Sequence, residues 1–227
     1  KKKIFVIGHS AGSYVGLELA KRHPEWLYAY IGVGQITNSP ESERRGWRFA
    51  YDAARRAKNT KAVHDLEAIA PYSPPRSYPS LNEIYAQRKW LDYYGGVMAY
   101  RHGNSDESGL AKLSPDYTNS EVAHIWDGND FAERYLLRDF LSADLTGVRR
   151  LGCPLMIIAG RHDYDVNSAI AAEWFATVSA PEKQFIWFEN SAHLPMTEEP
   201  GKFLISLVRY ARPIAERAGD GPVVTGV

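Results

Sequence analysis

The stretch from Ile4 to Arg22 limits what this chain can fold into more than any other. Ile4 to Ile7 is an unbroken apolar run with β-branched members, the pattern of a parallel strand covered on both faces. Gly8-His9-Ser10-Ala11-Gly12 follows and fits G-x-S-x-G. Val15, Leu17, Leu19 and Ala20 then supply the apolar positions of a helix ending near His23-Pro24. A sharp turn between strand and helix holds its serine in a strained conformation, with the hydroxyl at the strand's C-terminal end. Both glycines are expected to be needed, because a tight crossing leaves no room beside the serine. With strand before and helix after, Ser10 reads as a nucleophile rather than an idle turn residue.

The rest of the chain extends this unit into an α/β fold. Trp26 to Gln35 reads as a second strand, and its Gly32-Val33-Gly34 lacks the third glycine and following helix of a dinucleotide loop. Asn38-Ser39-Pro40-Glu41 is a helix start, and the sequence predicts helices over Glu41–Lys58, Thr60–Ile69, Leu81–Tyr94, Ser120–Trp126 and Asn129–Leu141. Tyr72 to Ser80 and His102 to Tyr117 read as loops. Trp47, Tyr51, Tyr72, Trp90 and Trp126 are each expected to pack in a core; as a set they suggest a lid over something. Leu155–Gly160 and Gln184–Phe188 are a third and fourth strand, with a helix from Ser168 to Thr177 between them. Glu198 to Tyr210 is predicted as one final helix, and Asp220 to Val227 as a loose tail. The expected architecture is a parallel sheet of about four strands flanked by helices, with a core of residues 1–37 and 143–227 and an inserted helical cap of residues 38–142.

Composition removes several functional classes. Lys plus Arg and Asp plus Glu balance at 27 each, which gives no electrostatic argument for nucleic acid or an anionic membrane. No apolar run is long enough to span a bilayer, no leader peptide is visible, and a cytoplasmic enzyme is the expectation. The one cysteine, Cys153, has no internal partner and reads as a buried thiol at a strand entrance. No H-E-x-x-H or clustered Cys/His spacing supports a metal, and no cofactor motif is present.

Two strand ends carry the remaining chemistry. The third strand runs into Arg161-His162-Asp163-Tyr164-Asp165-Val166, and the fourth into Asn190-Ser191-Ala192-His193-Leu194-Pro195. Polar loops at the C-terminal ends of parallel strands are where open α/β sheets place functional groups. A serine hydroxyl is a poor nucleophile at neutral pH; an imidazole must take its proton, and a carboxylate must orient that imidazole. Ser10, Asp163 and His193 come in the order of such a triad, with Asp165 as the alternative acid. His9 and His162 sit beside the nucleophile and the acid and read as packing residues.

Gly8-His-Ser-Ala-Gly, Gly160-Arg-His-Asp-Tyr-Asp-Val and Asn190-Ser-Ala-His-Leu-Pro together resemble the α/β-hydrolase superfamily. The nearer resemblance is to its capped members, similar to proline iminopeptidases and related esterases. It implies Ser10 as nucleophile, Asp163 as acid, His193 as base and the Ala11 amide as one oxyanion donor. It also implies further strands before the nucleophile strand and a glycine-rich loop giving a second oxyanion donor, neither of which is in this sequence. Ile4 to Ile7 is therefore expected to be an exposed edge, covered by an N-terminal segment or by a second copy in a homodimer. The expected substrate is a small carboxylic ester. The alternatives are a proline iminopeptidase-like aminopeptidase, with a cap acid such as Glu67 or Glu83 holding the amine, and a silent truncated hydrolase acting as a binding protein. Haloalkane and epoxide chemistry need a carboxylate where Ser10 stands.

Overall fold

The computed structural model describes residues 3–72, 78–103 and 111–221, without the side chain of Trp126. Lys1-Lys2, residues 73–77 of the proline-rich stretch, residues 104–110 of the glycine-rich loop and the 222–227 tail lie outside the described residues. Four strands, β1 (Ile4–His9), β2 (Leu27–Val33), β3 (Leu155–Gly160) and β4 (Lys183–Phe188), form one parallel sheet in the order β1-β2-β3-β4. Parallel pairing brings all four C-terminal ends to one sheet edge. The loops carrying Ser10, Gly34, Asp163 and His193 therefore start side by side.

Burial follows position in the sheet. Every residue of β2 and β3 is buried, as continuous apolar runs in central parallel strands require. On one face, α1 (Ala11–Arg22) and α7 (Ser168–Thr177) enclose Leu17, Tyr30, Ile157 and Trp174, and Cys153 is buried and free there. On the other, Ile31, Met156, Ile158 and Phe188 meet the C-terminal helices. The first strand stands at a sheet edge among the described residues, as expected of it once the family's preceding strands are missing, and Ile4 and Ile7 are 58% and 49% exposed rather than covered on both faces as the apolar run alone suggests. Among the described residues β1 pairs on one side only, and Phe5 and Ile7 border an open apolar groove with Leu207, Val208 and Ala211. Val15 is also exposed; α1 instead turns Ser13, Gly16, Leu17 and Ala20 inward.

Between β2 and β3 run α2 (Ser39–Arg56), α3 (Thr60–Ala68), α4 (Leu81–Tyr93), α5 (Asn119–Ala123) and α6 (Ile125–Ser142). Their starts are fixed by side-chain caps: Asn38 accepts from the Glu41 amide at 3.0 Å, and Ser80 with Glu83 forms a capping box. Ala50, Ala54, Leu66, Tyr72 and Trp90 form a separate apolar cluster there. The helix predicted over Glu198–Tyr210 starts instead at Pro200, after the short α8 (Pro195–Glu198), and runs without a break through α9 (Pro200–Ser206), a wide π turn over Leu207–Ala211 and α10 (Arg212–Arg217). Pro200 starts a new helix, and Pro213 has no N–H to return to the preceding turn. Asp220 is anchored rather than loose, accepting a hydrogen bond of 2.8 Å from the Tyr28 hydroxyl.

Candidate active site

Ser10 sits at the turn between β1 and α1 with φ 52° and ψ −123°, a left-handed backbone that a serine occupies only under constraint. Its amide donates to the Val33 carbonyl at 3.0 Å, and its carbonyl accepts from Ser13 Oγ at 2.6 Å. Gly8 is required: a Cβ there would lie 2.4 Å from the Gly12 carbonyl oxygen. Gly12 is not. It stands exposed on the first turn of α1, and beyond its own helix backbone and chain neighbours no described atom lies within 4 Å of an added Cβ, so among the described residues only Gly8 is held to glycine by the crossing.

The histidine and the acid are joined. His193 Nδ1 donates to Asp163 Oδ2 at 2.9 Å, with both residues buried. Asp163 Oδ1 accepts the amides of Asp165 and Val166 at 2.9 Å each, so its carboxylate is held at both oxygens. Gly34, with φ +53°, makes space for the pair: a Cβ there would stand 2.9 Å from His193 Cε1 and 3.0 Å from its Nδ1. A Cβ at Gly160 would strike the Ala192 carbonyl at 1.9 Å, so the acid and histidine loops are pressed together at that glycine. Glu198 binds the Ala192 and Ala99 amides at 2.8 and 2.7 Å, and the His193 amide donates to the Val97 carbonyl at 2.9 Å.

Asp165 takes the other side of the ring. Its Oδ2 lies 3.5 Å from His193 Nε2, the atom a serine proton would reach. Among the described residues no hydrogen bond joins Ser10 Oγ to His193, whose ring bonds Asp163. Catalytic hydrogen bonds are often long before substrate is bound. Burial opposes the imidazolium, but Asp163 and then Asp165 outweigh it and hold His193 up at about 9. Burial, reinforced by the charge of His193, pushes His9 down to about 4. His9 is therefore neutral, and its Nε2–H donates to the His193 carbonyl at 2.9 Å.

Ser10, Ala11 and Asp165 line a cavity of about 130 Å³ together with Glu43 and Arg88 of the inserted helices. Leu137, Phe140 and Leu141 of α6 form its apolar wall. Arg88 of α4 bridges the two acids, Nε to Asp165 Oδ1 and Nη1 to Glu43 Oε2 at 3.0 Å. Burial favours a neutral Asp165, but Arg88 and then His193 hold its carboxyl below the usual range. The acid loop is also fixed to α2: Tyr164 stacks on Phe49 with centroids 3.9 Å apart, and a Cβ at Gly46 would meet the Tyr164 carbonyl at 2.6 Å.

The acids proposed from sequence for an amine lie elsewhere. Glu67 accepts from the Tyr51 hydroxyl at 2.7 Å, and Glu83 caps α4. Glu43 and Arg88 were missed. Glu43 carried a readable signal, because it interrupts the small-residue stripe Ser39, Ser42, Gly46, Ala50, Ala54 on the buried face of α2. Among the described residues no three His, Cys, Asp or Glu side chains are grouped to hold a metal, and no helix is long and apolar enough to cross a membrane.

A parallel sheet with a serine at the turn after one strand and a bonded acid–histidine pair at the ends of two others defines the class. A profile of the Alpha/beta hydrolase family matches residues 1–206, and the chain belongs to that family. It is 30% identical over 220 residues to the protein named "Probable aminopeptidase YbaC" of Bacillus subtilis, covering 93% of this chain and 66% of that one. It spans just under two thirds of the curated relatives it matches, 65% and 64% for two others. Among solved structures it resembles VinJ, with a TM-score of 0.59 at 15% identity over 94% of this chain and 67% of that one. It also resembles a proline iminopeptidase of Mycobacterium smegmatis, with a TM-score of 0.56 at 16% identity over 96% and 67% of the two chains. At these identities the two structures speak for the fold.

Proposed function

We propose that this chain carries the nucleophile, acid and base of a serine hydrolase that acts on substrates bearing a cationic amine near the scissile carbonyl, as an aminopeptidase does. The observation that carries the reading is the charge at the cavity beside Ser10, where two carboxylates, Glu43 and Asp165, face one guanidinium, Arg88. The similarity to a relative named as an aminopeptidase supports it. In this mechanism Ser10 Oγ attacks the carbonyl carbon while its proton passes to His193 Nε2. Asp163, on Nδ1, holds the ring and stabilises the imidazolium. The Ala11 amide, at the start of α1, donates to the developing oxyanion. The C–N bond breaks as His193 returns the proton to the leaving amine. Water, deprotonated by His193, then releases the acid from the acyl-serine.

The apolar wall of Leu137, Phe140 and Leu141 favours a second reading, hydrolysis of small carboxylic esters. Aminoacyl and prolyl naphthylamides compared with nitrophenyl butyrate separate the two. Cleavage of the amides, weakened in Glu43→Gln, supports the aminopeptidase. Cleavage of the butyrate alone refutes it.

A further inference from the structure

Glu43, Arg88 and Asp165 enter the reading above only through the charge they present to a substrate amine, yet this chain of charges ends on His193 Nε2, the atom through which the proton passes. Asp163 bonds Nδ1 in every protonation state. Asp165 Oδ2, 3.5 Å from Nε2, meets a lone pair when the ring is neutral and an N–H when it is charged. It therefore favours the imidazolium. This helps once the proton has left Ser10 and hinders before, because a charged ring cannot accept a proton. Arg88 opposes this from the far side of the carboxylate, with its Nε on Asp165 Oδ1 and its other nitrogens toward Glu43. The remaining neighbours do not substitute for it. His9 touches His193 through a neutral ring, Gly34 brings no charge, and Glu198 spends its oxygens on backbone amides.

We propose that Arg88 is a positioning residue that acts through Asp165 to govern when His193 can serve as base, so that the inserted helices control proton transfer at Ser10. The proposal rests on the triad reading above. It predicts shifts of opposite sign. Asp165→Asn removes the charge that stabilises the imidazolium and moves the His193 midpoint down by about 1–3 pH units. Arg88→Gln leaves Asp165 with His193 as its nearest cation and moves that midpoint up. A role confined to packing would move neither, or both in the same direction.

The test is imidazole NMR titration of His193 in Ser10→Ala, alone and combined with Asp165→Asn or Arg88→Gln, with His193→Gln to assign the resonance. The pH dependence of fluorophosphonate labelling of Ser10 in the chain with its serine intact runs beside it. Opposite shifts in both readouts support the proposal; unmoved or parallel midpoints overturn it. If neither charge variant folds, the Ser10→Ala titration decides alone, and a midpoint at the ordinary value of about 6.5 overturns the proposal. Absence of labelling at every pH, with His193 titrating high, sinks the triad reading instead.

Discussion

Gly34→Ala is the sharpest test of the site as built. The methyl group enters beside the His193–Asp163 bond, 2.9 Å from Cε1, 3.0 Å from Nδ1 and 3.5 Å from Asp163 Oδ2. Neither partner can step aside cheaply, because both are buried and Asp163 is already held by two amides and the ring. The backbone adds its own cost, since φ +53° disfavours any residue with a Cβ by about 1–2 kcal/mol. Overpacking contributes about 1–3 kcal/mol more, so the expected loss of stability is about 2–5 kcal/mol. A displaced base is expected to lower kcat by about 10²-fold even in the fraction that stays folded. Urea denaturation measures the first effect, and turnover or Ser10 labelling normalised to folded protein the second. A folded Gly34→Ala protein with unchanged kcat would refute the claim that this glycine keeps the space for the acid–histidine pair.

Asp163→Asn keeps the shape but loses the charge that orients Nδ1–H, and kcat is expected to fall by about 10³–10⁴-fold with little change in fold by circular dichroism. Gly8→Ala is expected to prevent folding or abolish labelling, because its Cβ would lie 2.4 Å from the Gly12 carbonyl, whereas Gly12→Ala is expected to change the urea midpoint little; equal effects would contradict the open space at Gly12. Stability should fall in both directions from about pH 6.5, the ordinary histidine value. His193, held up at about 9, gives stabilisation that is complete below 6.5 and is lost as pH rises toward 9; His9, pushed down to about 4, gives stabilisation that is lost as pH falls from 6.5 toward 4. Urea midpoints across this range measure both limbs, and His193→Gln should flatten the alkaline one; an unchanged alkaline slope in that variant would count against it.

What was legible in the sequence was what short-range pattern encodes. β3 and β4 announce themselves as apolar runs, and the polar loops after them hold Asp163 and His193, which the fold brings to 2.9 Å. The Ser168–Thr177 helix was readable to the residue. Less legible was what depends on which surfaces meet. Ile4 to Ile7 has the apolar pattern of a central strand, and its place at the edge follows from the strands the family resemblance implies before it, not from its own pattern; β1 has one neighbour among the described residues. The sequence predicts the C-terminal helix from Glu198 to Tyr210, but Pro200 sets its start, and a π turn over Leu207–Ala211 carries it on to Arg217. Glu43 and Arg88 lie 45 residues apart and meet Asp165 only through tertiary packing, so no local spacing links them. Gly34 looked like part of a weak nucleotide motif, and only the imidazole facing it shows why a side chain is excluded.

The stacking of Tyr164 on Phe49, with α2 against the Tyr164 carbonyl, has a consequence for how such an enzyme can diversify. Tyr164 sits between Asp163 and Asp165, so α2 is riveted to the loop that bonds His193. On the triad reading, a substitution that tilts α2 is expected to disturb proton transfer as well as which molecule fits. Leu137 and Phe140 reach the same cavity from α6, away from that rivet. On that reading, selection for new substrates, natural or in the laboratory, meets least constraint at the cavity-lining Leu137 and Phe140 of α6, while α2 and α4 stay yoked to the acid loop.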